Sequence, residues 1–125
     1  MVSFDKLILG DGPIYQQIVV YIKREISSGS IHHEDEMPSR RTLSALLGVN
    51  PNTIQKAYKT LEDEGIIESH SGAKSFVVLS EAKRKKIKNE LIETDAKNAV
   101  AVLKHMGISK AEAVELLDKL WEEEE

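Results

Sequence analysis

Apolar side chains recur along this chain in two periods. Tyr15, Ile18, Val19, Ile22 and Ile26 step by three and four residues, the spacing of one helix face. They predict a helix from Pro13 or Ile14 to about Ser28, stopped by Gly29. Leu43, Leu46 and Leu47 share the face of a second helix, with Ser39 as its N-cap and Gly48 as its breaker. Val49 packs under the turn. Asn50-Pro51 then restarts the chain, because Asn caps well and Pro at the first helical position loses no needed hydrogen bond. Ile54, Ala57, Tyr58 and Leu61 follow at i, i+3, i+4 and i+7, and Gly65 ends that helix. The period then shifts to that of strands. Ile66–His70 and Ser75–Leu79 read as a hairpin around the turn Ser71–Lys74. Ile31–Glu36 reads as a loop or short strand beside it, and Met1–Gly12 as an extended arm and loop.

The helical period returns after the hairpin. Ser80 caps a long helix from Glu81 to about His105. Within it Ile92, Ala96, Ala99, Leu103 and Met106 alternate steps of four and three, a coiled-coil-like seam widened by Leu91 and Val100. Gly107 ends that helix, and Ser109 with Glu112 forms a capping box for another. Val114, Leu117, Leu120 and Trp121 make the last apolar face, before a solvated tail Glu122–Glu125.

The expected fold is mainly α with a small β wing. An N-terminal winged helix-turn-helix covers residues 1–80, and a two-helix dimerisation unit covers 81–125. Two helices of this size enclose no large core. A symmetric homodimer through Ile92, Ala96, Ala99, Leu103, Met106, Leu117 and Trp121 is the simplest cover. Leu117 and Trp121 with a partner subunit would also frame a small-molecule effector site, a reading no other residue supports.

Charge gives these helices a purpose. The chain of 125 residues carries a net charge of −4. Yet Met37–Leu61 holds Arg40, Arg41, Lys56 and Lys59 and no acid, while acids crowd both flanks. Asn50, Asn52, Thr53, Gln55, Lys56 and Lys59 lie outside the apolar face of their helix. Asn and Gln pair with adenine, Arg with guanine, and Thr touches a thymine methyl. Helix N-termini, such as the one Ser39 caps, point partial positive charge at phosphates. The partner these residues fit is double-stranded DNA. His70 and Lys74 belong near the wing tip, within reach of a minor groove or phosphate.

Other chemistries find little support. With no cysteine, disulfides and thiolate metal sites are excluded, which fits a reducing cytoplasm. His32-His33-Glu34-Asp35 reads as a polar turn, since adjacent His side chains diverge and no second cluster completes a metal site. His105 reads as a cation at a helix end. No apolar run approaches the roughly 20 residues that span a membrane, and no signal-peptide pattern opens the chain. No cofactor is called for, and nothing resembles an enzyme's nucleophile or phosphate-cradling loop. Lys23 and Arg24 read as a solvated face. Lys83-Arg84-Lys85-Lys86 with Lys88 reads either as a solvated face or as a phosphate-facing tether.

Four motifs stand in order: Pro13-Ile14-Tyr15-Gln16-Gln17-Ile18, Met37-Pro38-Ser39-Arg40-Arg41-Thr42-Leu43, Val49-Asn50-Pro51-Asn52-Thr53-Ile54-Gln55-Lys56-Ala57-Tyr58 and Leu61-Glu62-Asp63-Glu64-Gly65-Ile66-Ile67. With them Pro13–Val78 resembles the DNA-binding domain of the GntR family of bacterial transcription regulators, and is most similar to its YtrA-type members. The resemblance implies DNA contacts at Arg41, Asn50, Asn52 and Thr53, and matches Gly72 to the first wing glycine. Gln55 stands where many relatives carry Arg. Ser71 replaces a common basic wing residue, Lys74 stands at the second wing glycine, and Glu34 replaces the glycine usual before Met37-Pro38-Ser39. The resemblance further implies a short helical dimerisation unit, a homodimer on an inverted-repeat operator and repression where that operator overlaps a promoter.

Overall fold

The computed structural model describes residues 1–70 and 74–124. The chain forms two compact units, residues 1–89 and 90–125.

The first unit is built on three helices and a hairpin. Helix α1 spans Ile14–Ser28, α2 Arg40–Leu47 and α3 Pro51–Asp63. Strands β1, Ile67–His70, and β2, Lys74–Val77, pair antiparallel, with Ile67 opposite Val77 and His70 opposite Lys74. The core is the one the apolar steps predict: Ile18, Ile22, Ile26, Leu43, Ile54 and Leu61 are each 0% exposed. Each such side chain contributes about 1.5–3 kcal/mol by leaving water. Two members of the expected stripes stand apart. Tyr15 is only half-buried, and Leu46 is 61% exposed. Helix α2 is eight residues long, so its buried face narrows to Leu43 with Leu47 half-buried beside it.

The caps follow the sequence chemistry. The Ser39 hydroxyl accepts from the Thr42 N–H at 3.0 Å, and Asn50 Oδ1 accepts from the Asn52 N–H at 2.8 Å. The turn between α2 and α3 is closed twice: the Val49 N–H donates to the Ser44 carbonyl at 3.1 Å, and Ser44 Oγ donates to the Val49 carbonyl at 2.5 Å.

The segment before α2 pairs with the hairpin as a third short strand. Glu36 bridges to Phe76, the Met37 N–H donates to the Ser75 carbonyl at 2.9 Å, and the Val77 N–H donates to the Asp35 carbonyl at 2.8 Å. Glu34 makes this pairing from a left-handed backbone, φ 72°, while its N–H donates to the Val77 carbonyl at 2.8 Å. The N-terminal arm is more than an extension. Val2 and Phe4 are buried, Phe4 stacks on Tyr21 with ring centroids 5.3 Å apart, and the Val2 N–H donates to the Glu36 carbonyl at 2.8 Å. Gln17 gathers the loop after the arm, accepting from the Gly10 N–H at 2.7 Å and donating to the carbonyls of Gly10, Asp11 and Gly12.

Helix α4 spans Glu81–His105, and its first turns belong to the first unit. Ser80 Oγ accepts from the Lys83 N–H at 3.1 Å. Two of its early cations turn inward, which neither sequence reading anticipates. Lys83 donates to the carbonyl of Gly65 at 2.5 Å and of Val78 at 3.3 Å. Arg84 donates to the carbonyls of Ile26 and, at 3.2 Å, Ile31. Ile26 lies in the last turn of α1, where carbonyls lack helical partners and favour a cation.

The second unit holds the rest of α4 and helix α5, Lys110–Glu123. The Ser109–Glu112 capping box is formed, with the Glu112 N–H donating to Ser109 Oγ at 3.2 Å. Helix α5 buries none of its residues, and α4 buries only Ile87, which lies in the first unit.

Candidate nucleic-acid interface

Helix α3 divides cleanly between inside and outside. Ile54, Ala57, Tyr58 and Leu61 are at most 1% exposed. Asn52, Gln55, Lys56 and Lys59 are exposed, with Thr53 half-buried at the helix start. The inner face is fixed at both ends of the helix-turn-helix. The Tyr58 hydroxyl donates to the Pro38 carbonyl at 2.6 Å, and burial pushes that hydroxyl well above its ordinary ionisation range. The outward face is thus held by a rigid element, as base readout requires.

The cations of the window divide in a way the sequence does not display. Arg40 turns inward. Its guanidinium donates to Glu62 Oε1 at 2.9 Å, lies 5.0 Å above the Tyr58 ring, and has its Nε buried. Lys59 Nζ donates to Asp63 Oδ1 at 2.8 Å, a hydrogen bond that holds its ammonium above the usual lysine range. Lys56 stands 4.1 Å above the Tyr15 ring. Arg41, at the start of α2, is exposed, and none of the described residues pairs with its guanidinium.

The acids after the window are spoken for. Glu62 pairs with Arg40, Asp63 with Lys59, and Glu64 with Lys23 at 2.8 Å. Lys23 is therefore an ion-pair partner, not part of a solvated face. These pairs offset the charges that would otherwise repel phosphate beside α3. Lys59 and Asp63 are one helical turn apart, but Arg40–Glu62 and Lys23–Glu64 join residues far apart in sequence, and no local pattern reveals those two.

Ser39 and Asn50 spend side-chain oxygens on their caps. Ser39 Oγ also donates to Thr42 Oγ1 at 2.8 Å. At the wing His70 packs edge-on against Phe76, with ring centroids 5.2 Å apart. Lys74 is exposed in β2 and pairs in register with His70. Among the described non-glycine residues only Glu34 has positive φ, so Lys74 bears no strain from replacing a glycine. Gly72 and Ser71 lie outside the described residues.

His33 and His32 are occupied locally. His33 Nδ1 accepts from the Leu79 N–H at 2.9 Å, and Asp35 Oδ2 accepts from the His32 N–H at 2.8 Å. Among the described residues no group of three His, Asp or Glu side chains is placed to hold a metal ion. No helix described is long and apolar enough to cross a membrane.

The model of the bacterial regulatory proteins of the gntR family matches residues 14–77, the span of helices α1 to α3 and the hairpin. The chain belongs to the GntR family. That makes it a member of a group of transcription regulators, not of enzymes. This GntR chain is similar to the HTH-type transcriptional repressor YtrA of Bacillus subtilis, with 40% identity over 85 residues. The match covers 63% of this chain and 65% of the relative, just under two thirds of its length. A solved GntR-family regulator from Listeria monocytogenes is similar over 90% of this chain and 98% of its own, with a TM-score of 0.77 and 31% identity. The structure of AraR(DBD) in complex with operator ORX1 is similar over 56% of this chain and 93% of its own, with a TM-score of 0.50 and 30% identity. The YtrA-type resemblance and the mainly helical fold with a small wing both stand.

Proposed function

We propose that this GntR chain is a cytoplasmic, sequence-specific transcriptional repressor that binds an inverted-repeat operator as a homodimer. Residues 1–80 read the DNA and residues 81–125 join the two copies. The observation that carries the reading is the two-sided α3. Its apolar side is sealed in the core, while Asn52, Gln55 and Lys56 stand exposed on the other. Such a helix presents amide and cationic groups to base edges in a major groove. The Arg41 guanidinium, with the capped start of α2 behind it, supplies a phosphate or base contact. Lys59, Ser39, Asn50 and Thr53 border the same two helices, and His70, Gly72 and Lys74 add the wing.

Dimerisation is supported by exposed apolar surface. Ile92 is 55% exposed, Met106 77%, Leu117 47% and Trp121 78%. A twofold dimer covers such faces and sets two recognition helices on two half-sites.

The test is selection of bound duplexes from a random pool, then titration of the enriched duplex at two salt concentrations. The expected result is an inverted repeat bound by two chains, with affinity falling steeply as salt rises. A folded dimer that enriches no sequence overturns the DNA-reading proposal.

A further inference from the structure

Helix α5, with its C-cap residue Glu124, carries a strip that matches itself when reversed. Lys110, Ala113, Leu117, Leu120 and Glu124 step by three and four, with Val114 and Trp121 flanking the line. Counting outward from Leu117, Val114 and Ala113 stand three and four residues before it, and Leu120 and Trp121 three and four after. Lys110 and Glu124 stand seven residues to either side, about 10 Å along the axis at 1.5 Å per residue. Reversing the strip about Leu117 sets apolar on apolar and Lys110 on Glu124. A parallel pairing would set Lys110 on Lys110, Glu124 on Glu124 and Trp121 on Trp121, with two like-charge contacts opposing it.

The same unit offers a seat for the largest of these side chains. An apolar groove of about 430 Å³ runs between the end of α4 and α5, lined among others by Val100, Leu103, Ile108, Ala113 and Val114. Trp121 is 78% exposed, Leu120 45% and Val114 48%, so the knob and part of its seat both stand uncovered. A tryptophan of this kind buries about 150–250 Å² when it finds a pocket.

We propose that a second copy of this chain docks antiparallel on α5, about a dyad beside Leu117, with each Trp121 filling the partner's groove at Val100 and Val114. The inference rests on the homodimer reading and adds to it a register, an orientation and an anchor residue. The symmetry is isologous: each chain gives one tryptophan and receives one, so the contact closes as a pair.

The chain supplies its own probes, having one tryptophan and no cysteine. Sedimentation equilibrium of the full chain gives the oligomeric state. Over the same concentrations Trp121 emission and acrylamide quenching report its cover, and Leu117→Cys under a mild oxidant reports the dyad. Expected are a dimer, a blue shift and reduced quenching as it forms, and a covalent dimer from Leu117→Cys. Leu120→Cys alone is expected to cross-link poorly, but to link when mixed with Ala113→Cys. A dimer whose Trp121 stays fully quenchable and whose Leu117→Cys variant stays unlinked overturns this register and leaves the homodimer standing. A monomer at every concentration overturns both.

Discussion

The Tyr58 hydroxyl donates to the Pro38 carbonyl oxygen at 2.6 Å, joining the inner face of α3 to the residue that precedes the cap of α2. The ring is 1% exposed, so neither partner finds ready water if the other is lost. Tyr58→Phe keeps the ring packing and removes the donor. We expect it to destabilise the chain by about 1–3 kcal/mol, the cost of leaving a buried carbonyl unpaired. Urea denaturation checks this, and an unchanged midpoint would deny the bond a role in holding α3.

The same hydroxyl makes stability depend on alkaline pH. Burial raises its ionisation well above the usual tyrosine value of 10.0, against a smaller downward pull from Arg40. In the unfolded chain it ionises near 10.0, and in the folded chain it stays protonated. Its contribution is therefore complete below pH 10.0 and drains away as pH rises from there through the raised folded value. Each such proton makes stability fall by about 1.4 kcal/mol per pH unit in that window. Tyr58→Phe should flatten the alkaline loss by one proton, leaving any share from Tyr21, whose ionisation burial also raises.

Arg84 fixes the start of α4 through the carbonyls of Ile26 and Ile31. Arg84→Met keeps the length of the side chain and removes the charge-assisted donors. We expect a loss of about 1.5–3 kcal/mol, the usual worth of hydrogen bonds to a charged group. Hydrogen exchange should quicken at the Arg84–Lys88 amides first. Unaltered exchange there would mean that α4 is held by Lys83 and Ile87 alone.

Much of this was legible in the sequence because it is local. The steps of α1 (Tyr15 apart) and α3, the Ser39 and Asn50 caps and the Ser109–Glu112 box each lie within a few residues, and each is found as read. What was hidden is long-range. Arg84 meets Ile26 58 residues away, and Lys83 meets Gly65 18 away, so a basic run that reads as surface becomes a clasp. Val2 and Phe4 read as a loose arm because nothing local says which surface buries them. The outward residues of α3 followed from its apolar step. That Arg40 turns in while Arg41 stays out depends on Glu62, one helix further on.

Glu34 holds a backbone that side chains rarely adopt, φ 72°, a cost of about 1–2 kcal/mol for a non-glycine residue. Glu34→Gly relieves it, while the N–H bond to Val77 is kept. The lost contact to His33, 3.7 Å between two exposed side chains, is worth little. Glycine also gives the unfolded chain more freedom, which offsets part of the gain. We expect a net stabilisation of about 0.5–1 kcal/mol after that offset. A lower melting temperature in Glu34→Gly would show that the Glu34 side chain is doing more than its contacts display.

Arg40 and Arg41 are neighbours that should fail differently. Arg41 is exposed, and none of the described residues pairs with it. Arg41→Ala should keep the unfolding midpoint and weaken operator binding by about 1–3 kcal/mol, with a shallower salt dependence if its contact is a phosphate. Arg40 is 27% exposed and paired with Glu62 at 2.9 Å. Arg40→Ala strips the Tyr58 ring of its cation and Glu62 of its ion pair, leaving the carboxylate only the Ser69 hydroxyl, and should cost about 0.5–2 kcal/mol of folding stability through the two lost contacts. Measuring both quantities for both variants separates the roles. If Arg40→Ala weakened binding as much as Arg41→Ala at full stability, Arg40 would have to leave Glu62 to meet DNA. The inward geometry would then describe only the unbound protein.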